Sequence, residues 1–244
     1  MKGSLVRTLS VGRLILLYGV VAPALGVMGS GYALAQAAAP AAAVPLKEIR
    51  IANAPIPMRI LVQSPAETET ELQIICLFRS EPGNTLHGSL VETNEKLKGL
   101  LDRIRTPTSF GGELGETLLI APPAGSLRAK RVLIIGLGDA RTFAPARMEL
   151  VGLIAYREAS RLGVTRPFFA PTVIDGGVSG FATGDVAEQV TRGLLRGART
   201  EKLVADGGAA AGPVIQEFTF LAGALHAGDT EQGIEKAIAA YAAK

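Results

Sequence analysis

From Met58 onward the chain alternates short apolar runs with longer segments whose apolar residues recur every three or four positions. Met58–Val62 and Leu72–Phe78 read as strands, separated by a turn region around Pro65, Glu67 and Glu69. Between Asn84 and Arg105, the residues Leu86, Leu90, Leu97, Leu101 and Ile104 fall at helical spacing and predict one amphipathic helix, stopped by Thr106-Pro107. Glu116–Ala121 and Arg131–Gly136 read as strands around the turn Pro122-Pro123-Ala124-Gly125. A second helix starts near Pro145, turns Leu150, Leu153, Ile154 and Leu162 inward and ends at Gly163. Pro167–Ile174 predicts a strand. Asp185 to about Leu203 predicts a third helix with Asp185 as its cap, Val214–Leu221 a further strand, and Thr230–Ala243 a closing helix. Strands separated by helices of this length predict an α/β domain whose sheet carries helices on both faces.

The pattern breaks down before residue 46. Lys2, Arg7 and Arg13 precede the apolar run Leu14–Val21, and Ala33-Leu34-Ala35 has the small-x-small form of a cleavage site. Residues 1–35 are therefore expected to be a signal peptide cut after Ala35, 36–45 an Ala/Pro spacer, and 46–244 a single folded domain in the periplasm or secreted. A membrane association would follow only if the segment stayed uncleaved. The expected cut changes the charge picture. The formal net charge is +3, but removing those three basic residues from 25 leaves 22, equal to the 22 acidic ones. A neutral chain carries no sign of a nucleic-acid partner. Hydrophobic residues make up 48% of the sequence, enough to fill a core without the missing Trp. Cys76, the single cysteine, rules out an internal disulfide and sits in an apolar run, where a buried thiol is expected.

Few positions carry candidate chemistry. Gly136-Leu137-Gly138 follows a strand, as a phosphate-cradling loop would. However, position 141 is Arg where a dinucleotide fingerprint has Gly, and the next helix starts only near Pro145, so a structural corner is expected. The loop from Asp175 to Asp185 is the better ligand candidate. Gly176, Gly177, Ser179, Gly180 and Gly184 follow a strand and lead into a helix, where backbone N–H groups could meet a small anionic ligand. A flexible surface loop is the competing reading. Arg192, Arg196 and Arg199 lie four and three residues apart, giving a basic stripe that is either a solvated helix face or a surface for self-association or a separate protein chain. His87 and His226 stand apart without Cys or paired carboxylates at ligand spacing, so neither a metal nor a cofactor is expected.

Three segments in order carry a family resemblance. Arg131–Gly138, followed by Thr142-Phe143, resembles the strand ending in Gly-Leu-Gly of the M17 leucyl aminopeptidase N-terminal domain. Ala187–Gly197 is similar to the helix that ends that domain, and Ser109–Glu116 to its Phe-Gly-Lys-x-Gly-Glu turn. The resemblance implies a macro-domain-like fold, a three-layer mixed sheet between helices. In that family two metal ions and the peptide chemistry belong to a C-terminal domain. No segment here matches its Asn-Thr-Asp-Ala-Glu-Gly-Arg signature, and Glu67, Glu69 and Glu71 are expected on a solvated face. The family's aromatic residues after this helix are replaced by Ala198-Arg199-Thr200-Glu201. The resemblance thus implies a non-catalytic binding or oligomerisation module. A macro-like binder of a phosphate-bearing ligand such as ADP-ribose, and an accessory subunit of a metallo-aminopeptidase, are the alternatives.

Overall fold

The computed structural model describes residues 47–210 and 212–243; the expected leader, its cut after Ala35, the spacer and Leu46 lie outside them. The strands are β1 (Glu48–Ile51), β2 (Met58–Leu61), β3 (Gln73–Leu77), β4 (Thr117–Ile120), β5 (Val132–Gly136), β6 (Phe168–Ala170) and β7 (Phe218–Leu221). The helices are α1 (Gly88–Lys96), α2 (Leu100–Ile104), α3 (Met148–Arg161), α4 (Thr183–Asp206) and α5 (Ala227–Ala242). One sheet runs in the order β1-β2-β7-β6-β3-β5-β4. Its inner strands are parallel, and β1 and β4 pair antiparallel at the two edges.

Strand alternation divides the core in two. Ile74, Cys76, Leu133, Ile135, Phe169 and Phe220 face α3, α4 and α5, whereas Ile75, Leu77, Val132, Ile134 and Leu221 face α1 and α2. The three-layer α/β architecture with a mixed sheet is therefore as expected. Because β3 and β5 are covered on both faces, every residue in them is buried, which is why they read as unbroken apolar runs.

Several boundaries differ from the sequence pattern. The helix expected over 84–105 is two helices. Lys98 and Gly99 adopt left-handed φ values of 54° and 74°, and the Asn94 side-chain oxygen accepts the Leu101 N–H at 2.9 Å to start the second. The short edge strand β1 carries charged residues at alternate positions and gave no apolar signal. The strand expected over 167–174 ends at Ala170, and that expected from Val214 begins only at Phe218. Val214 itself is 76% exposed. Finally, α4 starts at Thr183, so Asp185 lies inside its first turn, where it favours the dipole, and is not the cap.

Glycine sets how closely α4 packs against its neighbours. A Cβ on Gly152 of α3 would lie 2.1 Å from the Val190 carbonyl oxygen, and one on Gly193 of α4 would lie 2.1 Å from that of Glu149. The crossing with α5 is built the same way. A Cβ on Gly184 would lie 2.7 Å from the Asp229 carbonyl oxygen, and one on Gly233 would lie 2.0 Å from that of Gly184. Gly184, expected in an anion loop, thus belongs to a helix crossing. Among the described residues no helix is long and apolar enough to cross a membrane.

The α4–α5 pair also encloses a charge. The Glu188 side chain is 6% exposed, with Arg192 at 2.5 Å and Lys236 at 2.7 Å. Burial raises its pKa, but the hydrogen bonds from Lys236 and Arg192 outweigh it and hold the carboxyl below its ordinary 4.5. A carboxyl depressed on folding contributes stability that is present above the unfolded pKa and lost as pH falls through the folded one. Comparing chemical denaturation of the wild type with Glu188→Gln should therefore show a wild-type advantage at neutral pH that shrinks below about pH 4.5. An advantage constant across that range would contradict the assignment.

Candidate functional site

The C-terminal ends of the parallel strands share one edge of the sheet. The chain leaves β3 for α1 on one face and β6 for α4 on the other, so the loops part and a crevice opens. A cleft of about 470 Å3 occupies this edge, within the range of roughly 300–1,000 Å3 typical of small-molecule sites. Ala170 and Leu221 from the strand ends, Val62 beyond β2, and Val186 and Ala187 of α4 give it an apolar lining. Among the described residues that line it, the ionisable ones are Glu92, Asp175 and His226.

The loop after β6 forms one wall and is fixed at three points. The first is Thr172, a β-branched residue at a left-handed φ of 49°. Its hydroxyl donates to the Cys76 carbonyl at 2.6 Å and accepts the Cys76 N–H at 2.9 Å, continuing the strand ladder where β6 has ended. A strained backbone of this kind persists only where its surroundings impose it, and such positions cluster at ligand clamps. The second is Asp175, whose carbonyl accepts the His87 N–H at 2.7 Å and whose carboxylate accepts the Ser89 hydroxyl. That carboxylate lies over Gly88 at the positive end of α1, whose own cap residue His87 makes no side-chain capping bond. The third is an aromatic column. Phe78 and Phe143 stack edge to face at 5.4 Å, and Phe143 and Phe181 lie 5.4 Å apart. On α1, one turn beyond Ser89, Glu92 accepts the Ser64 hydroxyl at 2.5 Å, and Lys96 stands 3.6 Å from its other oxygen.

The expected anion loop is differently used. The Gly176 N–H donates to the Thr172 carbonyl at 2.9 Å, that of Gly177 to Ile174 at 2.9 Å, and that of Val178 to Val173 at 3.3 Å. These donors turn onto the loop's own carbonyls, whereas a backbone anion cradle turns them outward. Gly176 is buried against Phe78, while Ser179 and Gly180 are exposed at the loop tip. The Gly136-Leu137-Gly138 segment is a structural corner. Its N–H groups donate to Glu116, Leu77 and Gly112 at 2.8, 2.9 and 2.8 Å, and a Cβ on Gly136 would lie 2.0 Å from the Glu113 carbonyl oxygen.

A second hollow of about 270 Å3 lies beside this corner, lined by Asn84, His87, Asp139, Arg141 and Gly177 among others. Its arginine is committed: Arg141 stands 2.7 Å from Asp139 and 3.1 Å from Glu81. The Arg141 side-chain and backbone hydrogen bonds pull the Asp139 pKa down to about 2.

The basic stripe of α4 is largely neutralised, since Arg192 pairs with Glu188 and Arg196 with Glu149 at 3.0 Å, leaving Arg199 exposed. Glu67, Glu69 and Glu71 pair with Lys96, Arg128 and Lys130 on the surface. They lie in the connection before β3, outside any strand. Cys76 is fully buried, and burial pushes its thiol pKa up. Among the described residues, no group of three or more His, Cys, Asp and Glu could hold a metal ion. His87 and His226 lie in different hollows, at the starts of α1 and α5.

With this geometry in hand, comparison with known proteins places the chain. It belongs to the cytosol aminopeptidase family, whose N-terminal domain model matches residues 74–199. A probable cytosol aminopeptidase of Roseiflexus castenholzii is 32% identical over 142 residues, covering 57% of this chain and 25% of that protein. The chain thus spans about a quarter of the curated relative it matches. Among solved structures, a mutant of tomato leucine aminopeptidase superposes with a TM-score of 0.54 at 17% identity, covering 75% of this chain and 35% of that one. This likeness establishes the fold alone. An Oceanobacillus iheyensis macrodomain with MES bound gives a TM-score of 0.47 at 13% identity, covering 80% and 99% of the two chains. That similarity is too loose to carry a functional inference.

Proposed function

We propose that this chain is an exported, non-catalytic module of the cytosol aminopeptidase N-terminal type that acts by binding a small molecule. The observation that carries the reading is the cleft at the C-terminal strand ends, with the loop that walls it held by Thr172, Asp175 and Phe181. A site fixed in advance loses little freedom when a ligand enters, which is how affinity is gained without many contacts. Other reactive groups are already engaged. Cys76 is buried beneath the sheet ends, and Asp139 and Arg141 neutralise each other. Export is supported by Lys2, Arg7 and Arg13 ahead of an apolar run and a small-x-small site.

Two measurements test this reading. In a thermal-shift panel of amines, carboxylates, nucleotides and ADP-ribose, at least one compound should raise the melting temperature in proportion to its concentration. A flat panel would count against a binding role. Incubation with an aminoacyl-naphthylamide and Mn2+ or Zn2+ should give no turnover above buffer, and turnover that tracks the purified protein would overturn the non-catalytic role. The kinship with a probable aminopeptidase supports a second reading, an accessory to a separate metallo-aminopeptidase chain. Co-purification with such a chain, together with a change in its activity, would favour it.

A further inference from the structure

We infer that the cleft selects a small protonated amine with an aliphatic body, and not the phosphate-bearing ligand that a glycine-rich loop implies. This rests on the cleft being a binding site, as proposed above. The inference follows from what the lining offers. Glu92 sits on α1 one turn beyond Ser89, and Asp175 meets Ser89 from the loop after β6, so both carboxylates line the cleft near the start of α1. Each accepts one hydroxyl, from Ser89 and Ser64 respectively, which leaves further acceptor positions on both. The single lysine beside them, Lys96, lies closer to Glu67 than to Glu92. The lining therefore carries two carboxylates against one imidazole, His226, and Lys96 is held between Glu67 and Glu92, so the local balance is negative. Asp229, within 3.5 Å of the cleft-lining Thr183 hydroxyl, adds to it from α5. Val62, Leu221, Val186 and Ala187 give the rest of the lining an aliphatic character. A ligand that satisfies this lining needs a cationic head to meet the carboxylates and a short apolar body. A phosphate would face carboxylates, while the N–H groups of Gly176, Gly177 and Val178 are turned onto their own loop.

The test uses probes of one shape and three charges: 3-methylbutylamine, 3-methylbutanol and 3-methylbutanoate, with ADP-ribose as the anionic reference. Each is titrated into the 15N-labelled protein while amide shifts are followed. The amine is expected to move the signals of Ser64, Ser89, Glu92, Thr172 and Asp175 in a saturable way, at roughly tenfold lower concentration than the alcohol, the ratio set by one charged contact of about 1.4 kcal/mol. The double variant Glu92→Gln with Asp175→Asn keeps an oxygen for each serine hydroxyl. It should bring the amine's affinity down to that of the alcohol without altering the alcohol's. If the butanoate, the alcohol or ADP-ribose moved these signals as strongly as the amine, the charge preference would be wrong although the cleft would still bind. If no probe moved them, the binding reading itself would fail.

Discussion

Replacing Gly193 with alanine is expected to destabilise the domain by about 3 kcal/mol, the upper end for overpacking a well-filled interior. The added methyl would lie 2.1 Å from the Glu149 carbonyl oxygen, 2.6 Å from the Leu153 nitrogen and 2.9 Å from the Gly152 carbonyl carbon. All three are backbone atoms of α3, so no side chain can swing aside and the helices must separate. Separation also loosens the reciprocal contact of Gly152 with Val190 and the packing of Val151 and Ala155 beneath it. For a domain of this size the loss corresponds to a fall in melting temperature of roughly 6–12 °C. Gly228→Ala is the control, because a Cβ there meets nothing within 4 Å. It should be neutral or raise stability by up to about 1 kcal/mol through the unfolded state. Equal melting temperatures for the two variants would mean that α3 and α4 do not pack as closely as described.

Thr172→Val is expected to cost a similar amount, about 2–4 kcal/mol, for a different reason. Valine keeps the shape and the β-branch, so the left-handed backbone is no worse. The lost hydroxyl leaves the Cys76 N–H and carbonyl without their partner at the end of a buried strand. Buried backbone groups left unpaired cost about 1–3 kcal/mol each. The loop after β6 would also lose its first anchor, so amide exchange should quicken from Thr172 to Phe181 more than in α3 or α5. Thr172→Ser keeps the hydroxyl and should recover most of the loss. A serine variant as unstable as the valine one would show that the methyl, and not the hydrogen bonds, holds the loop.

The layer order was legible because the inner strands are buried on both faces. Ile74–Leu77 and Val132–Ile135 could be read as strands without knowing their neighbours. Boundaries were less legible where tertiary contacts decide them. Leu97 and Leu101 sit at helical spacing and both are buried in the cluster between helices α1 and α2 and the sheet, so periodicity could not reveal the left-handed step at Lys98 and Gly99 that parts them. The Gly-Leu-Gly corner could be judged correctly from the missing third glycine and the late helix. The glycines of the loop after β6 suggested an anion because their number was visible while the direction of their N–H groups was not. Likewise, Gly184 looked like loop chemistry, whereas its partner across the helix crossing, Gly233, lies on α5.

The cleft was the least legible part. Glu92 meets Ser64 across 28 positions and Asp175 meets Ser89 across 86. No local motif links such residues, and only the parting of the loops after β3 and β6 brings them to one edge. Asp175 alone carried a signal, as the acidic residue that opens the glycine-rich loop. The other polar groups of the wall are ordinary surface residues in sequence.

Soaking crystals of the folded domain with a mixed fragment library would test most directly whether this edge of the sheet is the working part of the molecule. Bound density is expected in the cleft against Glu92, Asp175, Val186 and Leu221, with amine-bearing fragments predominating. Fragments gathering elsewhere on the surface, while that space holds only water, would contradict it.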